Sequence, residues 1–133
     1  MRAVADTNVY ICALNFGGTA EEVLALGRTQ AIQLCISPSI LKEIEGVLLW
    51  KFKWSAKRVR QALAAILEFT ELVHPKETIH VITADEPDNR IPECALEAKA
   101  EVLITGDDHL QQLKTFRGIS ILSPREFLET YRT

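Results

Sequence analysis

The chain has 133 residues, 47% hydrophobic and 25% charged, with a formal net charge of −3; this suits one soluble globular domain around one core. Its apolar runs are too short to cross a bilayer, and an acidic balance does not point to a general nucleic-acid binder. The opening MRAVADTNVY, with Asp6 and no long apolar stretch, argues against a secretory signal, so a cytoplasmic location without a membrane partner is expected.

Short β-like runs alternate with amphipathic helices over 1–133, with no linker or repeat, which predicts one α/β domain with a mostly parallel sheet of about five strands. Arg2 to Ala5 reads as the first strand, turning at Asp6-Thr7-Asn8 into a short helix over Val9 to Leu14. Thr19 with Glu22 makes a capping box for a helix to about Arg28. Gln33 to Ile36 is a strand, and Ser37-Pro38 starts a helix to about Phe52 with Ile40, Leu41, Ile44, Val47 and Leu48 on one face. Ser55 caps a helix to about Leu72 striped by Val59, Leu63, Ile66 and Leu67. Thr78 to Ile82 reads as a strand, Asp88 to Lys99 as a helix opened by Pro87, and Glu101 to Ile104 as a strand leading to Thr105-Gly106-Asp107-Asp108. A short helix, the strand Ile119 to Leu122 and a last helix opened by the Ser123/Glu126 capping box complete the chain.

In an open α/β sheet, ligands bind beyond the carboxyl ends of the strands. Asp6 and Asp107 both lie just past a strand, and Asp88 starts a helix after the expected strand from Thr78, where the helix N-terminus favours an anion. Glu43 falls at the edge of its helix's apolar face and is sterically able to point along the sheet end. Each acid alone has a plainer role, as turn residue, cap or solvated helix residue. Together, four carboxylates at one sheet edge repel one another unless a hard divalent cation, Mg²⁺ or Mn²⁺, neutralises them. Such ions activate water for in-line displacement at phosphorus, so phosphodiester hydrolysis is the chemistry implied.

The three cysteines, Cys12, Cys35 and Cys94, show neither Cys-x-x-Cys spacing nor an even count, and each is expected to be a small buried hydrophobe. His74, His80 and His109 are scattered, and His109 reads as a helix-start residue. The densest basic run, Lys51, Lys53, Lys57, Arg58 and Arg60, is interleaved with Trp50, Phe52 and Trp54. Its plain reading is a solvated helix junction with two buried aromatics. Its sharper reading is an RNA contact, because Lys57, Arg58 and Arg60 stand in the first turns of a helix, where cations oppose the macrodipole.

Several segments in order resemble a PIN domain, and more narrowly the VapC-type toxins. They are Val4-Ala5-Asp6-Thr7-Asn8-Val9, Ser37-Pro38-Ser39-Ile40-Leu41-Lys42-Glu43, Asp85 to Ala95, Val102 to Leu110, and Ile121 to Leu128. The resemblance implies a three-layer α/β/α fold and metal-dependent RNA cleavage, with Asp6, Glu43, Asp88 and Asp107 as the acidic cluster. Thr7, Asn8, Asn89 and Thr105 match supporting positions. Asp108 is read as a cap or orienting group, and Glu93 as a group behind the ligands. It also implies a protein antitoxin partner and a homodimer. The family often carries Asp-x-Asp-Asp-Asn before its helix-borne acid; here Pro87 replaces the middle Asp, which puts an auxiliary acid in doubt and leaves Asp88-Asn89.

Three rivals fare worse on the residues. A haloacid-dehalogenase-like phosphatase needs a second acid two residues after Asp6, where Asn8 stands. A receiver-like phospho-acceptor domain needs a lysine after a late strand, and Ile119 to Ser123 provides none. A non-catalytic PIN scaffold or RNA-binding module would be expected to lack some of the four acids.

Overall fold

Ala3, Val4 and Ala5 follow one another in the chain with no solvent exposure. A strand buried at every successive residue is covered on both faces, as in a parallel sheet between helical layers. The computed structural model, which describes residues 1–78 and 89–131, has that arrangement. In chain order the elements are β1 (Arg2–Ala5), α1 (Thr7–Asn15), α2 (Gly18–Arg28), β2 (Gln33–Ile36), α3 (Pro38–Trp50), α4 (Ala56–Phe69) and β3 (Thr70–Leu72). After the undescribed stretch come α5 (Arg90–Glu97), β4 (Val102–Ile104), α6 (Asp108–Leu113), β5 (Thr115–Phe116), β6 (Ile119–Leu122) and α7 (Pro124–Tyr131).

Among the described residues, six strands lie in the order β3-β2-β1-β4-β6-β5. All pairs are parallel except β5 with β6. The expected mostly parallel sheet of about five strands is present, and it differs in detail at two places. The helix expected to run to Leu72 stops at Phe69, where the Thr70 hydroxyl turns back to the Ile66 carbonyl (2.9 Å); Thr70–Leu72 then pairs with β2 as the edge strand β3. Strand β5 closes a hairpin on β6 through Arg117 and Gly118, both at positive φ, the backbone a tight two-residue turn requires. The strand expected from Thr78 to Ile82 falls, beyond Thr78, outside the described residues, and Thr78 itself is not in a strand.

Helix starts were the most legible feature. Ser37 Oγ accepts from Ile40 N–H (3.3 Å), with Pro38 at the first helical position. Ser55 Oγ accepts from Arg58 N–H (3.2 Å). Ser123 and Glu126 exchange both capping-box bonds (3.1 and 2.9 Å). The Thr19/Glu22 box does not start α2, which begins a residue earlier behind Gly17 at φ +76°. Cys35 and Cys94 are buried as expected, whereas Cys12 is exposed, because α1 turns that side away from the sheet. No single helix among the described residues is long and apolar enough to cross a membrane.

Gly27 shows how closely α2 rides on the sheet. A Cβ there would stand 2.6 Å from Leu34 Cδ1 and 3.2 Å from Phe69 Cδ1, and Leu34 is fully buried. Gly27→Ala should therefore lower stability by about 1–3 kcal/mol in urea unfolding despite alanine's better helix propensity. A stabilised variant would mean that α2 can lift off β2.

Candidate active site

The sheet order reverses at β1: the chain steps to β2 on one side and to β4 on the other. The crevice at such a switch point opens beyond the carboxyl ends of β1 and β4. Asp6 is the first residue past β1, and its N–H is bonded to the Ile104 carbonyl (2.9 Å) at the end of β4. Its carboxylate is 4% exposed. Oδ1 accepts from Val9 N–H (3.0 Å), capping α1, and Oδ2 accepts the Thr105 hydroxyl. The same Thr105 Oγ1 accepts from Asp107 N–H (2.9 Å), while Asp107 Oδ1 caps α6 through Leu110 N–H (3.0 Å). One buried hydroxyl thus ties the two strand-end acids together. Both acids are indeed helix caps, and capping is also what aims them, since each carboxylate oxygen keeps a further lone pair.

Asp6, Asp107 and Glu43 line one cleft, together with Thr7, Asn8, Ile91 and Leu110. Glu43 arrives from α3, whose Ile40, Ile44 and Leu48 are buried and turn the adjacent edge of the helix toward the sheet end. The cleft has a volume of about 20 Å³. Holding a water takes roughly 10–15 Å³ of space, so a water or a small ion fits. Thr7 lines the same cleft, and its Oγ1 is buried with no hydrogen-bond partner among the described residues.

Burial pushes the Asp6 carboxyl up to about 6, and the neighbouring Asp107 charge adds to it. The hydrogen bonds from Thr105 and Val9 pull in the opposite direction without prevailing. A buried acid held up by a like charge gains from a cation. Among the described residues, no three His, Cys, Asp or Glu side chains come close enough together to hold an ion by themselves. Asp88, the fourth expected ligand, lies outside the described residues. What the cleft does present is two strand-end carboxylates and room for water. That suits a small hard cation such as Mg²⁺, which binds through one or two carboxylates and retains several waters.

The remaining expected residues separate into those near the cleft and those away from it. Asn8 is exposed at its mouth. Asn89 and Glu93 are buried at the start of α5, next to Ile91, and Glu93 Oε1 lies 3.2 Å from Arg90 Nε; neither lines the cleft. Asp108 is exposed in the first turn of α6 and also stands off it. Lys51, Lys53, Lys57, Arg58 and Arg60 are all exposed at the junction of α3 and α4. Arg58 stacks over Trp54 (3.9 Å to the ring centre); of the three aromatics in the run, Phe52 and Trp54 pack against the core and Trp50 is 75% exposed. Three contributing residues were not singled out as site residues from sequence. Ile91 and Leu110 form the apolar wall, and Gln111 Nε2 holds the Thr105 carbonyl (2.8 Å). Only the position of Gln111 in the helix after Asp107-Asp108 could have flagged it.

Comparison with known proteins places this geometry. A family model described as PIN domain matches residues 2–109. A chain from the VapBC-1 structure of nontypeable Haemophilus influenzae is 20% identical, with a TM-score of 0.66, covering 94% of this chain and 99% of its own. One from VapBC2 of Rickettsia felis, bound to a DNA fragment from their promoter, is 16% identical with a TM-score of 0.61, covering 91% and 97%. PAE2754 from Pyrobaculum aerophilum is 14% identical with a TM-score of 0.64, covering 100% and 91%. A search of curated proteins gave no match. At these identities the solved structures speak for the fold, whereas the family model spans most of the chain, which therefore belongs to the PIN-domain family, generally nucleases that use divalent metal ions.

Proposed function

We propose that this chain is a Mg²⁺- or Mn²⁺-dependent endoribonuclease and the toxin half of a toxin–antitoxin pair. The observation that carries the nuclease reading is the single cleft shared by Asp6, Glu43 and Asp107 at the β1/β4 switch point. A divalent ion bound there would neutralise the acids and supply charge stabilisation and an acidified water for in-line displacement at phosphorus. Asp6 and Asp107 would hold it, with Asp88 completing the set. Thr105 fixes the angle between the two aspartates, and the Thr7 hydroxyl would take a hydrogen bond from, or give one to, a water in the cleft. Glu43 would orient the attacking water and accept its proton; as the water oxygen bonds to phosphorus the P–O3′ bond would break, and the departing 3′ oxygen would take a proton from solvent, giving 5′-phosphate and 3′-hydroxyl ends. The antitoxin partner draws its support from the VapBC names of two structurally similar proteins, and a homodimer from family resemblance.

The test combines activity with a binding readout. Mn²⁺ should permit cleavage of single-stranded RNA by the wild type and raise its melting temperature, because an ion that binds only the folded cleft stabilises it. Asp107→Asn should lose most of both responses. A full thermal response in that variant would remove Asp107 from the ligand set, and no metal-dependent cleavage by the wild type would leave a non-catalytic scaffold.

The basic run has a separate readout. Each phosphate contact contributes about −0.7 to the slope of log affinity against log salt for single strands. Replacing Lys57 and Arg58 with Ala should flatten the slope for RNA by about one to two such contacts. An unchanged slope would remove both from the interface.

A further inference from the structure

Beside the acidic cleft is a second cavity of about 280 Å³, lined by Asn8, Cys12, Phe16, Gly17, Gly18 and Gly106 among others. The two are contiguous: Asn8 borders both, and Gly106 joins Thr105 to Asp107. Asn8, Cys12 and Phe16 recur every four residues, so they form one stripe along α1 and its C-cap, on the order of 12 Å long. At the far end Phe16 is 75% exposed and meets Phe52 edge-on (centroids 6.3 Å apart). Lys51 Nζ lies 5.8 Å from the centre of the Phe52 ring, so the stripe ends at the basic run. None of the described residues lining the cavity is charged. Gly17 and Gly18, at φ +76° and +65°, have nothing within 4 Å of where a Cβ would be, so this wall is bare backbone with open space before it.

An uncharged slot with an exposed aromatic ring on one side and bare amide backbone on another suits a flat heteroaromatic ring better than a phosphate. Its position between an acidic cleft and a cationic rim suits a polyanion whose backbone passes both. Resting on the ribonuclease reading above, we propose that this cavity receives one nucleobase of the single-stranded RNA whose adjoining phosphate is cleaved, with Phe16 as the stacking platform and Lys51 meeting the backbone beyond it. Stacking on an aromatic side chain tolerates every base, so the pocket positions the strand and selects single-stranded over paired RNA.

Cys12 provides the probe, as Cys35 and Cys94 are buried. The experiment measures the rate of Cys12 alkylation by iodoacetamide on the full chain, with Ca²⁺ replacing Mn²⁺ so that the RNA is bound without being consumed. One arm adds a mixed-sequence RNA hexamer and the other an abasic hexamer of equal charge. The hexamer with bases is expected to slow alkylation at least about fivefold, and the abasic one to leave it within twofold. Phe16→Ala, at an exposed position, should raise KM for RNA about tenfold and change kcat little, on the usual worth of one base stack. Equal protection by both oligomers, or RNA cleavage with Cys12 unprotected and KM unchanged in Phe16→Ala, overturns the pocket while leaving the nuclease intact. Base-dependent protection without cleavage in Mn²⁺ supports the pocket and overturns the nuclease. Neither cleavage nor protection overturns both.

Discussion

Asp6→Asn is expected to abolish metal-dependent RNA cleavage and, at the same time, to make the metal-free protein more stable at pH 7. The loss of activity should be about a thousandfold, since the several kcal/mol a divalent ion supplies goes with its ligand. The gain in stability follows from proton linkage. Burial raises the Asp6 carboxyl from 3.8 in the unfolded chain to about 6, so the folded state binds its proton more tightly. Stability of the metal-free wild type therefore falls as pH rises from about 4 through 6 and stays low above that, by on the order of 2–3 kcal/mol. Asparagine has no charge to bury and keeps the α1 cap, because its carbonyl oxygen can still accept from Val9 N–H. Melting curves of both proteins in EDTA should coincide near pH 4 and separate by several degrees at pH 7, the variant melting higher. Saturating Mn²⁺ should close or reverse that gap. A variant that melts lower than wild type at pH 7 would show that the carboxylate stabilises the fold, and the cleft would then be a structural network.

Thr105→Val is expected to cost about 2–4 kcal/mol and to move the pH dependence of cleavage upward. Valine has the same shape, so packing is preserved and only the hydroxyl is lost. That hydroxyl is fully buried, donates to Asp6 and accepts from Asp107 N–H, so its removal leaves two polar groups unmet at about 1–3 kcal/mol each. The donor to Asp6 favours the charged carboxylate, and without it the carboxyl rises further above about 6. Because a proton competes with the cation for Asp6, wild-type activity should decline below about pH 6, and that decline should begin at higher pH in the valine variant. Thr105→Ser keeps the hydroxyl and should restore the wild-type profile. Unfolding and pH–rate profiles of the valine variant that overlay those of the wild type would mean that Thr105 does not link the two acids.

Much of this arrangement could be read from local chemistry. Ser37-Pro38, Ser55 and Ser123 with Glu126 mark helix starts because a cap is settled within four residues. Asp6 and Asp107 could be placed at strand ends because β1 and β4 are short apolar runs, and parallel topology brings such ends to one edge. Features decided by tertiary pairing were less visible. Strand β3 carries helix-compatible residues, and it is strand only because β2 has an open edge to pair with it. Cys12 has apolar neighbours in sequence, yet the turn of α1 puts it outside. The same stripe places Phe16 beside Phe52, a contact between residues thirty-six positions apart that no local pattern could show. That Asp6 is held up to about 6 also depends on the depth of the cleft, since residue type alone cannot say which of several acids is buried.

A crystal of the wild-type protein soaked in Mn²⁺, with data collected for anomalous scattering, tests the central claim most directly. The expected result is one peak between the Asp6 and Asp107 carboxylates, coordinated by both, with Asp88 and Glu43 on the same side and reaching the ion directly or through water. A cleft without anomalous density at millimolar Mn²⁺, or Asp88 on the opposite flank of the sheet from Asp6, would contradict it.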